Sequence, residues 1–276
     1  MSKKFIIHRR DKFNAGDMAS CPKQYFEWLD DWQVIDITGI QWFNLNDSHV
    51  ILGGGGLLYD DFEPFMMKIL GSRLRSLTLW GIGRNRHGRD DTDLPRFGQM
   101  LLDKADLVGL RDCMIHDDWI PCPSVMHHLF DEPMKKNGKL AVQHREDRFR
   151  WKPPTDFMEV KMQGNIDALI EEIASAEVVM SSSYHGALWG LCAGARTCSV
   201  NGFSQKFKHG LPHTVLFTEV HDTANKNWMT PTFFDSIPEN KTWLAEARKR
   251  SIEFNTQVQE LVSRTDFSIY DHTLNK

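Results

Sequence analysis

The sequence predicts an α/β fold built on parallel sheets, in two halves of similar size. Three observations carry this. Short apolar runs of strand length alternate with helical segments through most of the 276 residues. The runs are continuously apolar, as in strands covered on both faces of a parallel sheet. A polar, turn-prone stretch from Asp131 to Gly138 divides the chain near its middle. Domains spanning 1–135 and 136–276 are therefore expected, the second carrying the terminal helix.

In chain order, a first strand candidate precedes the turn Asn14-Ala15-Gly16-Asp17. His49-Val50-Ile51-Leu52 reads as a buried strand followed by Gly53 to Gly56 and a helical stretch from Phe62 to Ile69. Leu77 to Trp80 is a strand leading into Gly81-Ile82-Gly83, and Leu107 to Leu110 is a strand that stops at Arg111-Asp112. In the second half Lys139 to Gln143 is a strand, Asn165 to Ala176 an amphipathic helix, and Glu177 to Met180 a strand that stops at three serines. Arg196 to Val200 is the next strand, and Trp243 to Val262 is a helix with a strongly charged face, expected on the outside. No internal repeat is visible in the sequence.

Composition narrows the function. A net charge of −4 argues against general nucleic-acid binding, which needs a basic face. No run approaches the roughly 20 apolar residues of a membrane span, and the apolar run after the basic N-terminus is too short for a signal peptide. The expectation is a cytosolic protein. The five cysteines include no CxxC pair, so they read as reduced and packed, and no metal site is expected.

The residues with chemistry cluster just after strands, where open α/β sheets bind their ligands. Ser181, Ser182 and Ser183 precede a helix and are expected to cap it. Its positive pole would favour an anion beside His185, whose unperturbed pKa is near neutrality. Four consecutive glycines, including Gly54 and Gly55, need a reason such as a positive φ or a backbone pressed against a ligand. They form neither GxGxxG nor a Walker A loop. Asp60 and Asp61 follow, as acceptors for a sugar hydroxyl or as favourable charge at a helix start. Asn14 and Asp17 belong to a turn that could meet a ligand hydroxyl. Two basic clusters, one beginning at Arg84 and one at His144-Arg145, stand out, and arginine suits carboxylate and phosphate. Arg111, alone at a strand end, is the strongest single candidate for an anion clamp.

In order along the chain, Asn14-x-Gly16-Asp17, Gly53 to Leu57, Gly81-Ile82-Gly83, Leu110-Arg111-Asp112, Cys122-Pro123 and Ser181 to Gly186 resemble the polysaccharide pyruvyl transferase family. The resemblance implies two Rossmann-like domains with a cleft between them, as in GT-B glycosyltransferases. It implies transfer of a pyruvyl group from phosphoenolpyruvate, the donor substrate, to two hydroxyls of a sugar as a cyclic ketal, with no cofactor. The acceptor would be a saccharide, free or lipid-linked, which would allow a place at the inner membrane face. His185 would be the general acid, Arg111 would hold the donor, and Asp60 or Asp61 would be the acidic residue after the glycines.

One departure matters. The family motif has arginine and leucine where this chain has Ser183 and Tyr184. Lys206, Lys208 or the His144–Arg150 cluster would have to supply the missing charge. Otherwise the donor differs or activity is lost. Two alternatives follow: a GT-B glycosyltransferase using a nucleotide sugar, and a non-catalytic glycan-binding relative in which Tyr184 stacks on a sugar.

Overall fold

The computed structural model describes residues 2–87, 93–144, 146, 151–200, 202, 204–212, 216–218, 235–237 and 242–273. It is a mixed α/β protein with two parallel sheets. The first contains β1 (Lys3–His8), β2 (Gln33–Asp36), β3 (Ser48–Leu58), β4 (Ser76–Arg84) and β5 (Leu107–Leu110), in the order β2-β1-β3-β4-β5. The second contains β6 (Lys139–Gln143), β7 (Phe157–Lys161), β8 (Val178–Ser181), β9 (Arg196–Val200) and β10 (Leu216–Thr218), in the order β7-β6-β8-β9-β10. The spatial order is the same in both: the second strand, the first, then the third, fourth and fifth. Every pairing between these ten strands is parallel. In each sheet the connections reverse direction between the first and third strands, and ligand crevices of doubly wound sheets lie at that switch point.

Successive strand residues point to opposite faces, and the core divides accordingly. Phe5 and Ile7 pack on one side of the first sheet with Met66 and Ile69 of α2 (Glu63–Leu70) and Phe97 and Leu101 of α3 (Arg96–Lys104). Ile6 packs on the other side with Ile51, Trp80, Trp32 and Leu29. In the second sheet Leu140, Val142 and Val179 pack against α4 (Ile166–Ser175) and α5 (Tyr184–Cys192), while Ala141, Met180 and Cys198 face the opposite cluster.

The expected strand positions are largely reproduced, with two corrections that bear on the site. The expected loop Gly53–Gly56 lies inside β3, which runs eleven residues. Gly54 and Gly55 take φ of 67° and 87°, and the register to β4 shifts between Gly55 and Leu58. A Cβ on Gly54 would overlap the Ser20 carbonyl, so this glycine admits a neighbouring backbone. Likewise β4 continues through Gly81 and Gly83 to Arg84.

The terminal helix α7 (Trp243–Thr273) is longer than expected and is not confined to the second half. Ala247 joins the core of the second sheet. Phe254, Val258 and Val262 complete the core of the first, where Phe254 meets Trp80 edge-on at 5.4 Å. A division at residue 135 therefore cuts through contacts that this helix makes with both sheets. Arg248 adds hydrogen bonds to the carbonyls of Val125 and His127 at 3.0 and 2.9 Å. Among the described residues no helix is long and apolar enough to cross a membrane. Phe254→Ala should lower the unfolding free energy by about 3–5 kcal/mol, the usual cost of a buried aromatic cavity. Guanidinium denaturation followed by tryptophan fluorescence measures it; a loss below about 1 kcal/mol would contradict the packing role of α7.

Candidate functional site

A pocket of about 370 Å³ takes side chains from the C-terminal ends of strands in both sheets. Arg9, Asn14 and Asp17 follow β1, and Tyr59 and Asp61 follow β3. His144 and Glu146 follow β6, and Ser183, Tyr184 and His185 follow β8. These four strands flank the two switch points. Arg111, after β5, and Lys206, after β9, complete the charged lining.

Arg111 governs the electrostatics. Its amide donates to the Ile82 carbonyl at 2.8 Å, extending the β4–β5 ladder by one residue. The side chain is 1% exposed, and its guanidinium carbon lies 4.2 Å from the centre of the Tyr184 ring. A Cβ on Gly83 would strike the Arg111 side chain, which gives that glycine its reason. Arg111 Nε and Nη2 are buried without a hydrogen-bond partner. The adjacent Asp112 gives its Oδ2 to Arg84 at 2.8 Å, and among the described residues no carboxylate lies within ion-pairing distance of Arg111. A buried cation without a partner is costly, so the site favours an anion that can accept from the guanidinium fork.

The helix after β8 adds donors. The expected serine caps do not form: Ser183 occupies the cap position of α5 with no side-chain capping bond. Ser181 Oγ instead accepts from the Ser183 amide at 3.0 Å, and Ser182 Oγ accepts from the His144 amide at 2.9 Å. The serines tie the β6 and β8 ends together, and the first-turn amides of α5 have no side-chain cap. Such a helix start attracts anions.

His185 is 6% exposed. Its Nε2 lies 3.2 Å from Ser20 Oγ and 3.5 Å from Cys122 Sγ, and its Nδ1 lies over Gly16, where a Cβ would overlap the ring. Burial holds its pKa well below the usual imidazole range, and the Arg111 and Lys206 charges push the same way. This corrects the expectation of a titration near neutral pH: without a ligand the ring is neutral. Lys206, in the first turn of α6 (Gln205–His209), is lowered to about 7 by burial and Arg111, against the opposing charges of Asp17 and Glu146.

The other expected site residues divide. Asn14 caps α1 (Ala15–Ala19): its Oδ1 accepts from the Gly16 amide at 3.1 Å and its Nδ2 donates to Asp17 at 2.9 Å. Asp61 lines the pocket, whereas Asp60 faces Arg86 at 3.4 Å. Gly54, Gly55, Ser182 and Arg84 do not line it, and Arg84 is committed to Asp112. Tyr184 lines the pocket, but its ring face is covered by Arg111 and its hydroxyl donates to the Gly210 carbonyl at 2.9 Å, so it is no stacking platform. Arg145 lies outside the described residues. Sequence reading missed Arg9, Tyr59, Asn85, His87 and Glu146 as lining residues. Arg9 was findable as the residue directly after β1, though it is held by Asp36 at 3.0 Å.

Gly16→Ala isolates the contact with His185. The new methyl would overlap the buried imidazole, and overpacking of that kind costs about 1–3 kcal/mol, more than the roughly 1 kcal/mol by which alanine favours the helix. The expected result is a lowered melting temperature with the His185 ring resonances shifted by NMR; an unchanged melting temperature with unshifted resonances would contradict the contact.

No family model matches the sequence, and no curated protein matches it. A solved structure of a functionally uncharacterized protein from Klebsiella pneumoniae subsp. pneumoniae NTUH-K2044 aligns at 12% identity with a TM-score of 0.46, covering 79% of this chain and 93% of that one. At that level of similarity it bears on neither family nor function.

Proposed function

We propose that this chain is a transferase that moves a pyruvyl group from phosphoenolpyruvate to two hydroxyls of a saccharide, on a GT-B-like scaffold with its site between the sheets. The observation that carries the reading is the Arg111 guanidinium, buried beside the pocket with two donor nitrogens unpartnered. A small donor with both a carboxylate and a phosphate suits that fork, the uncapped start of α5 and the Lys206 ammonium together. Lys206 supplies charge that Ser183, standing in place of the family arginine, does not. The cover that Arg111 places over Tyr184 removes the stacking surface on which a glycan-binding reading stood.

The chemistry then runs as follows. The donor's negative charge offsets Arg111 and Lys206, which raises the His185 pKa, and the ring takes up a proton. His185 gives that proton to the methylene carbon of the enol ester, leaving an oxocarbenium ion at the adjacent carbon. A sugar hydroxyl adds there and loses its proton to His185. Phosphate departs with the C–O bonding pair, and the second hydroxyl closes the ketal, releasing its proton to phosphate or solvent. Arg111 and the α5 amides stabilise the charge that develops on the leaving phosphate. Asp17, Asp61 and Glu146 face the pocket as acceptors for sugar hydroxyls.

Incubation with phosphoenolpyruvate and a panel of saccharides should release inorganic phosphate and yield a pyruvylated product by mass spectrometry. His185→Ala should slow this by roughly 10²–10⁴-fold, the usual worth of a general acid. Turnover of a nucleotide sugar with no use of phosphoenolpyruvate would overturn the reading. Donor affinity should also depend on pH. An anion raises the Lys206 pKa above its ligand-free value of about 7. The added affinity is therefore complete below that value and is lost as pH rises through the higher pKa of the complex. The donor phosphate has its own second ionisation near about 6, so titrations between about pH 7 and 9 isolate the effect. An affinity that rises with pH in that window would contradict the role of Lys206.

A further inference from the structure

The expected catalytic chemistry does not use Ser20, Cys122, Ser124 or Trp189, yet these four form a buried chain of polar contacts that reaches His185 through Ser20 and Cys122. Ser20 is 1% exposed, and Cys122, Ser124 and Trp189 are fully buried. Ser20 Oγ lies 2.8 Å from the Gly16 carbonyl, which can only accept, so the single hydroxyl proton of Ser20 is committed there. At 3.2 Å from His185 Nε2, the same oxygen can then only accept. The rest of the network runs in the same direction. Trp189 Nε1 donates to Ser124 Oγ at 3.1 Å, Ser124 donates to Cys122 Sγ at 3.3 Å, and Cys122 faces Ser20 Oγ at 3.5 Å as a weak donor. Ser20 thus gives one proton and has two lone pairs for His185 and Cys122, which fills its capacity.

We infer that Ser20 is a positioning residue: it holds neutral His185, which lines the pocket, as the Nε2–H tautomer and leaves Nδ1, over Gly16, as the atom that takes up and releases the proton. The opposite tautomer would set the Nε2 lone pair against the lone pairs of Ser20 and leave it only the weak Cys122 thiol donor at 3.5 Å. It would also aim an Nδ1 proton at a glycine with no acceptor among the described residues. When the ring is charged, Nε2–H stays on Ser20 and the added proton sits on Nδ1. Transfer from Nδ1 returns the same neutral tautomer, so the ring needs no flip between steps.

The inference accounts for two motifs that donor binding leaves unexplained. Gly16 is bare because the imidazole occupies the space of its side chain. Gly54, at φ 67°, is bare because the Ser20 backbone and Cβ occupy the space of its own. One glycine admits the ring and the other admits the residue that orients it.

The tautomer assignment stands on geometry alone, whereas the role in proton transfer rests on the pyruvyl-transfer reading, and the experiment separates them. In the ¹⁵N-labelled wild-type protein at neutral pH, long-range ¹H–¹⁵N correlation should find His185 Nε2 protonated and Nδ1 bare. A protonated Nδ1 would overturn the inference whatever the protein's activity. Ser20→Ala should give a tautomer mixture, with kcat falling roughly 10–100-fold, as when a ring-orienting partner is lost, and KM for phosphoenolpyruvate little changed. Ser20→Cys, which restores a weak acceptor, should recover part of kcat. Equal kcat in wild type and Ser20→Ala, or a fall in kcat with the tautomer unchanged, would also overturn it. If no saccharide is pyruvylated, the NMR result still decides the tautomer.

Discussion

The structure turns on Arg111, a buried cation with no counter-ion among the described residues. Asp112, the carboxylate next to Arg111 in sequence, spends one oxygen on Arg84. What remains for Arg111 is the face of Tyr184 and the space beside Gly83. Stacking on an aromatic ring offsets up to about 2 kcal/mol when desolvated, less than it costs to strip water from a guanidinium. The difference is stored at the pocket wall. It also acts at a distance, because Arg111 contributes to lowering both the His185 and the Lys206 pKa. An entering anion would relieve all three groups together, which would couple anion binding to protonation of the site.

The fold makes this cluster by meeting two sheets of identical strand order at their switch points. Neither sheet holds a complete set. The first brings Arg111, Gly16 and Ser20, and the second brings His185, Lys206 and Tyr184. Direct bonds lock the halves together around the pocket: the Ala15 amide to the Met162 carbonyl at 3.3 Å, the Met114 amide to the His209 carbonyl at 3.0 Å, and the Gln205 amide to the Arg86 carbonyl at 3.2 Å. The terminal helix fastens the opposite side through Phe254 and Ala247.

How much was legible in the sequence depended on whether a residue's role is local. Lys139–Gln143, Leu107–Leu110 and Arg196–Val200 are strands with the expected bounds, the second of them at a sheet edge. Edge strands β2 and β7 escaped notice because Gln33, Glu159 and Lys161 break the apolar run. Arg111 and His185 were legible as residues just after strands, and Lys206 as a charge able to replace the family arginine. The glycine run was legible as needing a positive φ, which Gly54 and Gly55 adopt, but the neighbour that Gly54 admits is Ser20 from another segment of the chain, which no local signal announces. Ser20 itself carries no local signal: its meaning comes from a histidine 165 residues away. The serines before α5 look like caps in sequence, but the proximity of β6 offered Ser182 the His144 amide instead. Tyr184 resembled a sugar platform until Arg111 covered it.

Calorimetric titration of the wild-type protein and Arg111→Met with phosphoenolpyruvate, at neutral pH in two buffers of different ionisation enthalpy, tests the central claim most directly. The account predicts binding to the wild type with net proton uptake, and loss of both in a variant that keeps its fold. Binding of equal strength in Arg111→Met, or binding with no proton uptake, would contradict it.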